Sequence, residues 1–230
     1  MVVGNGMIAK RFSKYADDKE VIIFASGVSN SSTHDAVAFK RETDLLEKII
    51  TVNPGSTLVY FSTCSIYDPS MQASPYVLHK LAMEHYLDEQ AGSFIIFRVS
   101  NPVGFTHNKH TVLNYFIEHI RQQQAFTLWE YASRNLIDID DMYWLCEFFI
   151  SNKNYQNQTI NIANPVNYPV LNIVEAIEKH IGIKGYYTIA AKGSSPLINT
   201  NSIGPLFSQL GIEFHKDYFE NLLAKYFPEP

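Results

Sequence analysis

Thr57-Leu-Val-Tyr-Phe-Ser-Thr-Cys-Ser-Ile-Tyr-Asp68, followed after a short loop by Ser74-Pro-Tyr-Val-Leu-His-Lys80, is the stretch whose reading decides the fold. Its first part is an apolar run that ends in small hydroxyl residues, as a buried parallel strand ends. Its second part opens a helix: Ser74 suits the N-cap, Pro75 the first helical position, and good helix formers follow. Tyr76 and Lys80 are four apart and share one helix face. Thr63 stands at the carboxyl end of the strand, where open α/β sheets hold their ligands. A hydroxyl, a phenol and an ammonium are thereby predicted to meet in one crevice.

That trio has a specific chemistry. A phenol with a pKa of about 10 exchanges protons poorly at neutral pH. A neighbouring ammonium favours the phenolate, so Lys80 is expected to lower the pKa of Tyr76. Tyr76 could then pass a proton to or from a substrate oxygen, with Thr63 holding the same oxygen. The missing hydride carrier points to a nicotinamide. A Tyr-x-x-x-Lys pair alone is weak, and Tyr15…Lys19 is a second copy that reads as a helix end running into a charged turn.

Outward from this stretch, strands and helices alternate, which predicts a parallel, right-handed α/β sheet. Met1-Val2-Val3 is a short strand, and Gly4-Asn5-Gly6-Met7-Ile8-Ala9 leads into a helix running to Tyr15. Gly-x-Gly-x-x-Ala between strand and helix is the context of a dinucleotide loop, where backbone N–H groups meet a pyrophosphate. Val21–Ala25 is the next strand, and Ser26-Gly27 opens a small polar loop at its end. That strand arrives early. An acid for the adenosine ribose belongs about 20 residues past the glycines, and Phe24 stands there instead.

Thr33–Asn53 reads as a helix with Val37, Leu45, Leu46, Ile49 and Ile50 on one side. The Tyr76 helix spans Pro75 to Gln90, and Phe94–Val99 is a further buried strand that ends in the turn Ser100-Asn101-Pro102-Val103-Gly104. Val112–Gln124 is helical and Phe126–Trp129 is a strand. Asp140 suits the N-cap of a helix over Met142–Ile150. Thr159–Ala163 is the last sheet strand, Leu171–Ile181 an amphipathic helix, Tyr186–Ala190 a strand, and Ser202–Gly211 and Asp217–Phe227 the closing helices.

Composition narrows the function. The 230 residues are 46% hydrophobic, enough for one core. A net charge of −5 speaks against a nucleic-acid face. No apolar run reaches membrane-spanning length and no signal peptide is visible, so no membrane partner is expected. Two cysteines make no disulfide framework and fit a reducing cytoplasm. His107 and His110 lack partners at zinc spacing, so no metal is expected. Cys64 reads as a buried small thiol.

Taken together, these motifs resemble the extended short-chain dehydrogenase/reductase family of NAD-dependent, nucleotide-sugar-modifying epimerases and dehydratases, over nearly the whole chain. Gly4–Ala9 resembles the cofactor loop, with Val3 where the family's first Gly stands and Ala9 where its last does. Val21–Ser26 looks like the strand ending under the nicotinamide ribose. Ser62-Thr63 and Tyr76…Lys80 match the active-site strand and the Tyr-x-x-x-Lys pair. Arg98-Val-Ser-Asn-Pro-Val-Gly104 is similar to the turn whose Asn meets the substrate and which closes on the nicotinamide. Arg134 with Ile137–Asp141 resembles the element whose Arg grips a substrate diphosphate, and Asn161–Asn164 the family's late strand.

The resemblance implies Thr63, Tyr76 and Lys80 as catalytic residues. It implies Gly4, Asn5, Gly6, Met7, Ile8, Ser26, Gly27, Tyr76, Lys80, Pro102 and Val103 at an NAD or NADP cofactor, and Thr63, Asn101 and Arg134 at a nucleoside-diphosphate sugar. It also implies a homodimer paired through the helices at 33–53 and 75–90. Two strands that relatives carry after the first helix are deleted, leaving the first strand at the sheet edge and weak cofactor binding. Dehydratases carry Asp-Glu after the Thr; Cys64-Ser65 stand here, which argues against dehydration.

The expected architecture is a truncated, Rossmann-like α/β domain over residues 1–230, with segments after about 105 forming a small C-terminal lobe over the crevice. The expected function is NAD(P)-linked reduction or epimerisation of a nucleoside-diphosphate sugar. The alternative is a non-catalytic scaffold or regulator that binds a sugar nucleotide or NAD(P) and has lost the adenosine half of its site.

Overall fold

Apolar runs too short to be stable alone are paired side by side in a computed structural model that describes residues 1–228. The first half comprises β1 (Val2–Val3), α1 (Met7–Arg11), β2 (Val21–Phe24), α2 (Ala36–Val52), β3 (Thr57–Thr63), α3 (Pro75–Gln90) and β4 (Phe94–Val99). The rest comprises β5 (Asn101–Val103), α4 (Val112–Arg121), β6 (Phe126–Trp129), β7 (Ser133–Arg134), β8 (Leu136–Asp138), α5 (Ile139–Ile150), β9 (Gln158–Ile162), β10 (Tyr168–Pro169), α6 (Val170–Ile181), β11 (Tyr187–Ala190), α7 (Gly204–Leu210) and α8 (Tyr218–Tyr226).

The main sheet has the order β1-β2-β3-β4-β9, every pair parallel. β1 is its edge, as the sequence predicts, and the sheet has no strand beyond it among the described residues. Three two-stranded pairs, β5 with β8, β6 with β11 and β7 with β10, lie outside the main sheet. Among the described residues no helix is long and apolar enough to cross a membrane.

The two sheet faces carry different helices. Leu46 of α2 and Met83 and Leu87 of α3 pack with Ile22, Phe24 and Tyr60 on one face. Phe12 and Tyr15, just past α1, pack on the other face with Phe61 and with α5 and α6. Successive strands β1 to β4 step across the sheet in one direction. Helices on opposite faces then give crossovers of opposite hand, so the β1-α1-β2 connection is reversed relative to the next two. This corrects the uniformly right-handed sheet expected from the alternation. The reversal is held by α5: Arg11 Nε donates to Asp140 at 2.6 Å, Tyr15 Oη donates to Glu147 at 2.9 Å, and Lys14 also pairs with Glu147.

Helix ends follow their local chemistry. Ser74 caps α3 by accepting from the Val77 N–H at 3.2 Å, with Pro75 in the first turn. Asp35 caps α2, which therefore begins after the predicted Thr33. For α5 the cap is Asp138, which accepts from the Asp140 N–H at 2.8 Å, so Asp140 lies inside the helix it was expected to cap. Val37, expected on the apolar side of α2, is 78% exposed.

Candidate active site

The carboxyl ends of β1 to β4 open onto one cavity of about 580 Å³. Gly4 makes the first turn possible. Its φ is +126°, and a Cβ there would lie 2.4 Å from the Ala25 carbonyl oxygen, so only glycine lets the chain leave β1 against the end of β2. Asn5, Gly6, Met7 and Ile8 then line the cavity, as do Ser26 and Gly27 after β2. Thr63 closes β3, and Tyr76 and Lys80 face in from α3. Asn101, Pro102 and Val103 come from β5, and Arg134 from β7. Of the residues the sequence singled out for the site, Gly4 alone acts through backbone shape and does not line the cavity.

Thr63 and Tyr76 are linked. Tyr76 is 7% exposed and its phenol is pushed up to about 12, chiefly by burial, with the Thr63 hydroxyl drawing it back and the Glu42 charge adding to the rise. The expected lowering by Lys80 is not found. Lys80 is 2% exposed, and its Nζ donates to Glu42 Oε1 at 2.9 Å, to Tyr60 Oη at 3.1 Å and to the Phe61 carbonyl at 3.4 Å. The ammonium thus faces a carboxylate. Burial lowers the Lys80 pKa further than Glu42 and Glu84 raise it.

Glu42, fully buried on α2, is the main site residue that the sequence reading missed. Its carboxylate also accepts from Tyr60 Oη at 2.6 Å and from the Val28 N–H at 2.6 Å, and lies 3.1 Å from His79 Nε2. Burial opposes its charge, but His79, Lys80, Tyr60 and Val28 together outweigh burial and hold its pKa well below the usual carboxylate range. Gly27 is required by this pair: a Cβ there would sit 2.6 Å from Lys80 Nζ and 2.9 Å from Glu42 Oε1. A signal existed in the sequence. Glu42, Leu46 and Ile49 fall on one helical stripe, so a charge on the buried side was visible by spacing.

Ser100, Asp68 and Arg41 are among the lining residues that were not predicted. Ser100 contributes to the cavity wall, and its Oγ is buried without a hydrogen-bond partner. Asp68 accepts from Ser194 Oγ and Ser70 Oγ at 2.6 Å each, and with Arg134 nearby its pKa is held low against the opposing effect of burial. Arg41 of α2 donates to the Ser26 carbonyl at 3.3 Å. Arg134 donates to the Ser133 carbonyl at 2.8 Å; burial lowers its pKa, with Asp68 opposing.

Cys64 is buried, donates to the Arg98 carbonyl at 3.0 Å and is pushed up to about 12 chiefly by burial, which makes it an inert thiol. Tyr15, the decoy copy, is tied to Glu147 outside the cavity. No cluster of metal-ligating side chains occurs among the described residues.

The fold that carries this cavity has counterparts. The sequence profile of the NAD dependent epimerase/dehydratase family matches residues 5–163. The chain belongs to that family. Its fold is that of family structures from several bacteria. The UDP-glucose 4-epimerase of Thermus thermophilus, in complex with NAD, is 14% identical with a TM-score of 0.71, over 95% of this chain and 80% of that one. RMD from Pseudomonas aeruginosa, complexed with NADPH, is 13% identical with a TM-score of 0.70, over 97% of both chains. The UDP-glucuronic acid 4-epimerase of Bacillus cereus is 18% identical with a TM-score of 0.71, over 93% of this chain and 76% of that one. No match to a curated protein was found. In this member of the family the end of β3, the Tyr76 and Lys80 face of α3 and the Asn101-Pro102 turn meet at one cavity, on a sheet with no strand beyond β1 among the described residues.

Proposed function

We propose that this cavity binds NAD or NADP and carries out hydride transfer on a nucleoside-diphosphate sugar, as a reductase or epimerase. The observation that carries the reading is that Thr63, Tyr76, Lys80, the Asn101–Val103 turn, the Asn5–Ile8 turn and Arg134 all line one space. A bound nicotinamide would supply or accept the hydride. The residues fit one: the turn after β1, the Ser26-Gly27 loop after β2 and the Asn101–Val103 turn line a single cavity of about 580 Å³, with small and backbone groups along much of its wall. Ser26, Gly27, Lys80, Pro102 and Val103 would hold the nicotinamide end, and Asn5 to Ile8 the pyrophosphate. Tyr76 would exchange a proton with the reacting sugar oxygen while Thr63 holds it. Arg134 would pair with the substrate diphosphate through its planar fork, and Asn101 would hold the sugar.

Among the described residues no strand lies beyond β1 where an adenosine would be held. That favours weak dinucleotide binding, and it is the one observation that supports the second reading, a binding protein without turnover.

A homodimer is part of the proposal. Val37 and Val52 of α2 and Leu78 and Leu81 of α3 are exposed apolar residues on the two helices that pack together on one sheet face. A two-fold pairing through these helices would cover them. Light scattering showing a monomer at micromolar concentration would reject it.

The functional test has two steps. Mass spectrometry of small molecules retained by the native protein identifies the sugar nucleotide. Tyr76→Phe is then assayed with it by NAD(P)H absorbance. The loss of the acid/base group is expected to slow turnover by about 10²–10⁴-fold. Full activity in Tyr76→Phe would overturn the assignment.

A further inference from the structure

The turn that follows Thr63 holds a distant part of the chain. The helical turn Cys64–Tyr67 and Asp68 after it are tied to the segment 191–200, which has neither helix nor strand. We propose that Asp68 is a positioning residue of the site, acting through Ser194: it latches this segment to the end of β3, so that Pro196 and Ile198 close the cavity wall and a diphosphate at Arg134 is enclosed. This rests on the nucleoside-diphosphate reading above.

The latch is made of side chains with printed geometry on both sides of the cavity wall. Asp68 is buried and lines the cavity. Its Oδ1 accepts from Ser194 Oγ at 2.6 Å, from Ser70 Oγ at 2.6 Å and from the Ser70 N–H at 2.9 Å. Its neighbour holds the same segment farther along: Tyr67 Oη donates to Asn161 Oδ1 at 2.9 Å, and Asn161 Nδ2 donates to the Asn199 carbonyl at 3.0 Å. Between these two ties Pro196 and Ile198 line the cavity, while Leu197 is 90% exposed. The opposite side is tied to β7 and the loop before β10. Ser133, beside Arg134, donates its N–H to the Ser194 carbonyl at 3.2 Å and its Oγ to Ser195 Oγ at 2.5 Å, and Asn167 Nδ2 donates to the Pro196 carbonyl at 2.6 Å. The segment thus bridges the turn after Thr63 and the strand that carries Arg134.

An acid at this place needs a reason. A carboxylate in the wall of a cavity that takes a diphosphate works against that anion by simple repulsion. Nor is Asp68 the partner of Arg134, whose guanidinium donates to the Ser133 carbonyl instead. What Asp68 offers is one acceptor for three donors, and hydrogen bonds to an ionised oxygen are roughly twice as strong as neutral ones. A segment without ladder hydrogen bonds opens locally at little cost unless side chains hold it. Here the hold falls on the Asp68–Ser194 bond at one end and on the Tyr67–Asn161–Asn199 relay at the other. Both start from the turn that presents Thr63, so the wall at Pro196 and Ile198 is referenced to the strand that positions the reacting oxygen.

The test needs neither cofactor nor turnover. Calorimetry with UDP and with GDP measures binding, and amide hydrogen exchange measures opening over residues 193–199. Ser194→Ala removes the tie without changing any charge. It is expected to weaken binding by about three- to tenfold, the worth of one net hydrogen bond, and to speed exchange over 193–199 while β3 and α3 exchange as in wild type. In an Asp68→Ala background Ser194→Ala should have no further effect, because the tie is already gone. Asp68→Asn, which keeps an acceptor, should return binding and exchange toward wild type. Unchanged binding or unchanged exchange in Ser194→Ala overturns the proposal, as does an equal effect of Ser194→Ala with and without Asp68. If Asp68→Ala does not fold, Ser194→Ala alone decides. If neither nucleotide binds the wild-type protein, the nucleoside-diphosphate reading fails, and the exchange rates alone decide whether Asp68 latches the segment.

Discussion

Glu42→Ala is the perturbation whose cost can be worked most fully from the structure. It removes the carboxylate from four partners and leaves Lys80 2% exposed without a counter-charge. Breaking a buried pair by deleting one partner typically costs about 3–5 kcal/mol. An independent bound comes from Lys80 itself. Its ammonium can shed the stranded charge by losing a proton, and holding an ordinary lysine neutral at pH 7 costs about 4–5 kcal/mol. The Tyr60 hydroxyl and the Val28 N–H lose an acceptor as well, at about 1–3 kcal/mol for each group left unsatisfied, although water admitted to the new space would recover part of this.

A loss of about 4 kcal/mol is therefore expected, a large fraction of the 5–15 kcal/mol typical of a folded domain. Urea unfolding followed by circular dichroism measures it. Glu42→Ala combined with Lys80→Met should recover most of the loss, because no charge remains to be stranded. A single-variant cost under about 1 kcal/mol, or a double variant no better than the single, would refute the view that these two groups act as a buried ion pair.

Acid should expose the same pair. Glu42 is held well below the usual carboxylate range in the folded chain, so its contribution is complete above the unfolded value of about 4.3 and is lost as pH falls below it; the slope of stability against pH in that acid region should be flatter in Glu42→Gln than in wild type. Gly27→Ala, whose Cβ would press on Lys80 Nζ and Glu42 Oε1, should disturb both folding and proton transfer, and unchanged thermal stability would show that the close approach is not real. Arg134→Ala should weaken nucleoside-diphosphate binding measured by calorimetry, and an unchanged dissociation constant would make it a structural residue. Ser74→Ala should cost about 1 kcal/mol through the lost cap on α3, read from the urea midpoint.

The strand, the cap and the Tyr-x-x-x-Lys helix were legible in the sequence because each depends on neighbours in the chain. Thr57–Thr63 is a continuous apolar run, and Ser74-Pro75 marks a helix start by local hydrogen bonding. The edge position of β1 was legible from an absence, since no acid and no second strand follow the glycines at the expected spacing. What was not legible depends on distant partners. Glu42 meets Lys80, 38 residues away, and only the folded α2–α3 pair brings them together. The reversed first crossover depends on contacts of Arg11 and Tyr15 with α5 more than a hundred residues on. Val37 lies on the outer side of α2, where amphipathic spacing near a helix start is ambiguous. Asp138 and Asp140 both suit a cap, and the β8 backbone decides between them by ending one residue before Ile139.

The most direct test of the central claim is titration of NADH, NADPH and reduced nicotinamide mononucleotide into the native protein, followed by nicotinamide fluorescence. In the proposed reading Ser26, Gly27, Lys80 and the Asn101–Val103 turn would hold the nicotinamide end, and among the described residues the sheet has no strand beyond β1 to receive an adenosine. The account predicts weak saturable binding of all three, the mononucleotide nearly as good as the dinucleotides and little choice between NADH and NADPH. No saturable binding of any of them, or tight binding strongly selective for NADH, would contradict it.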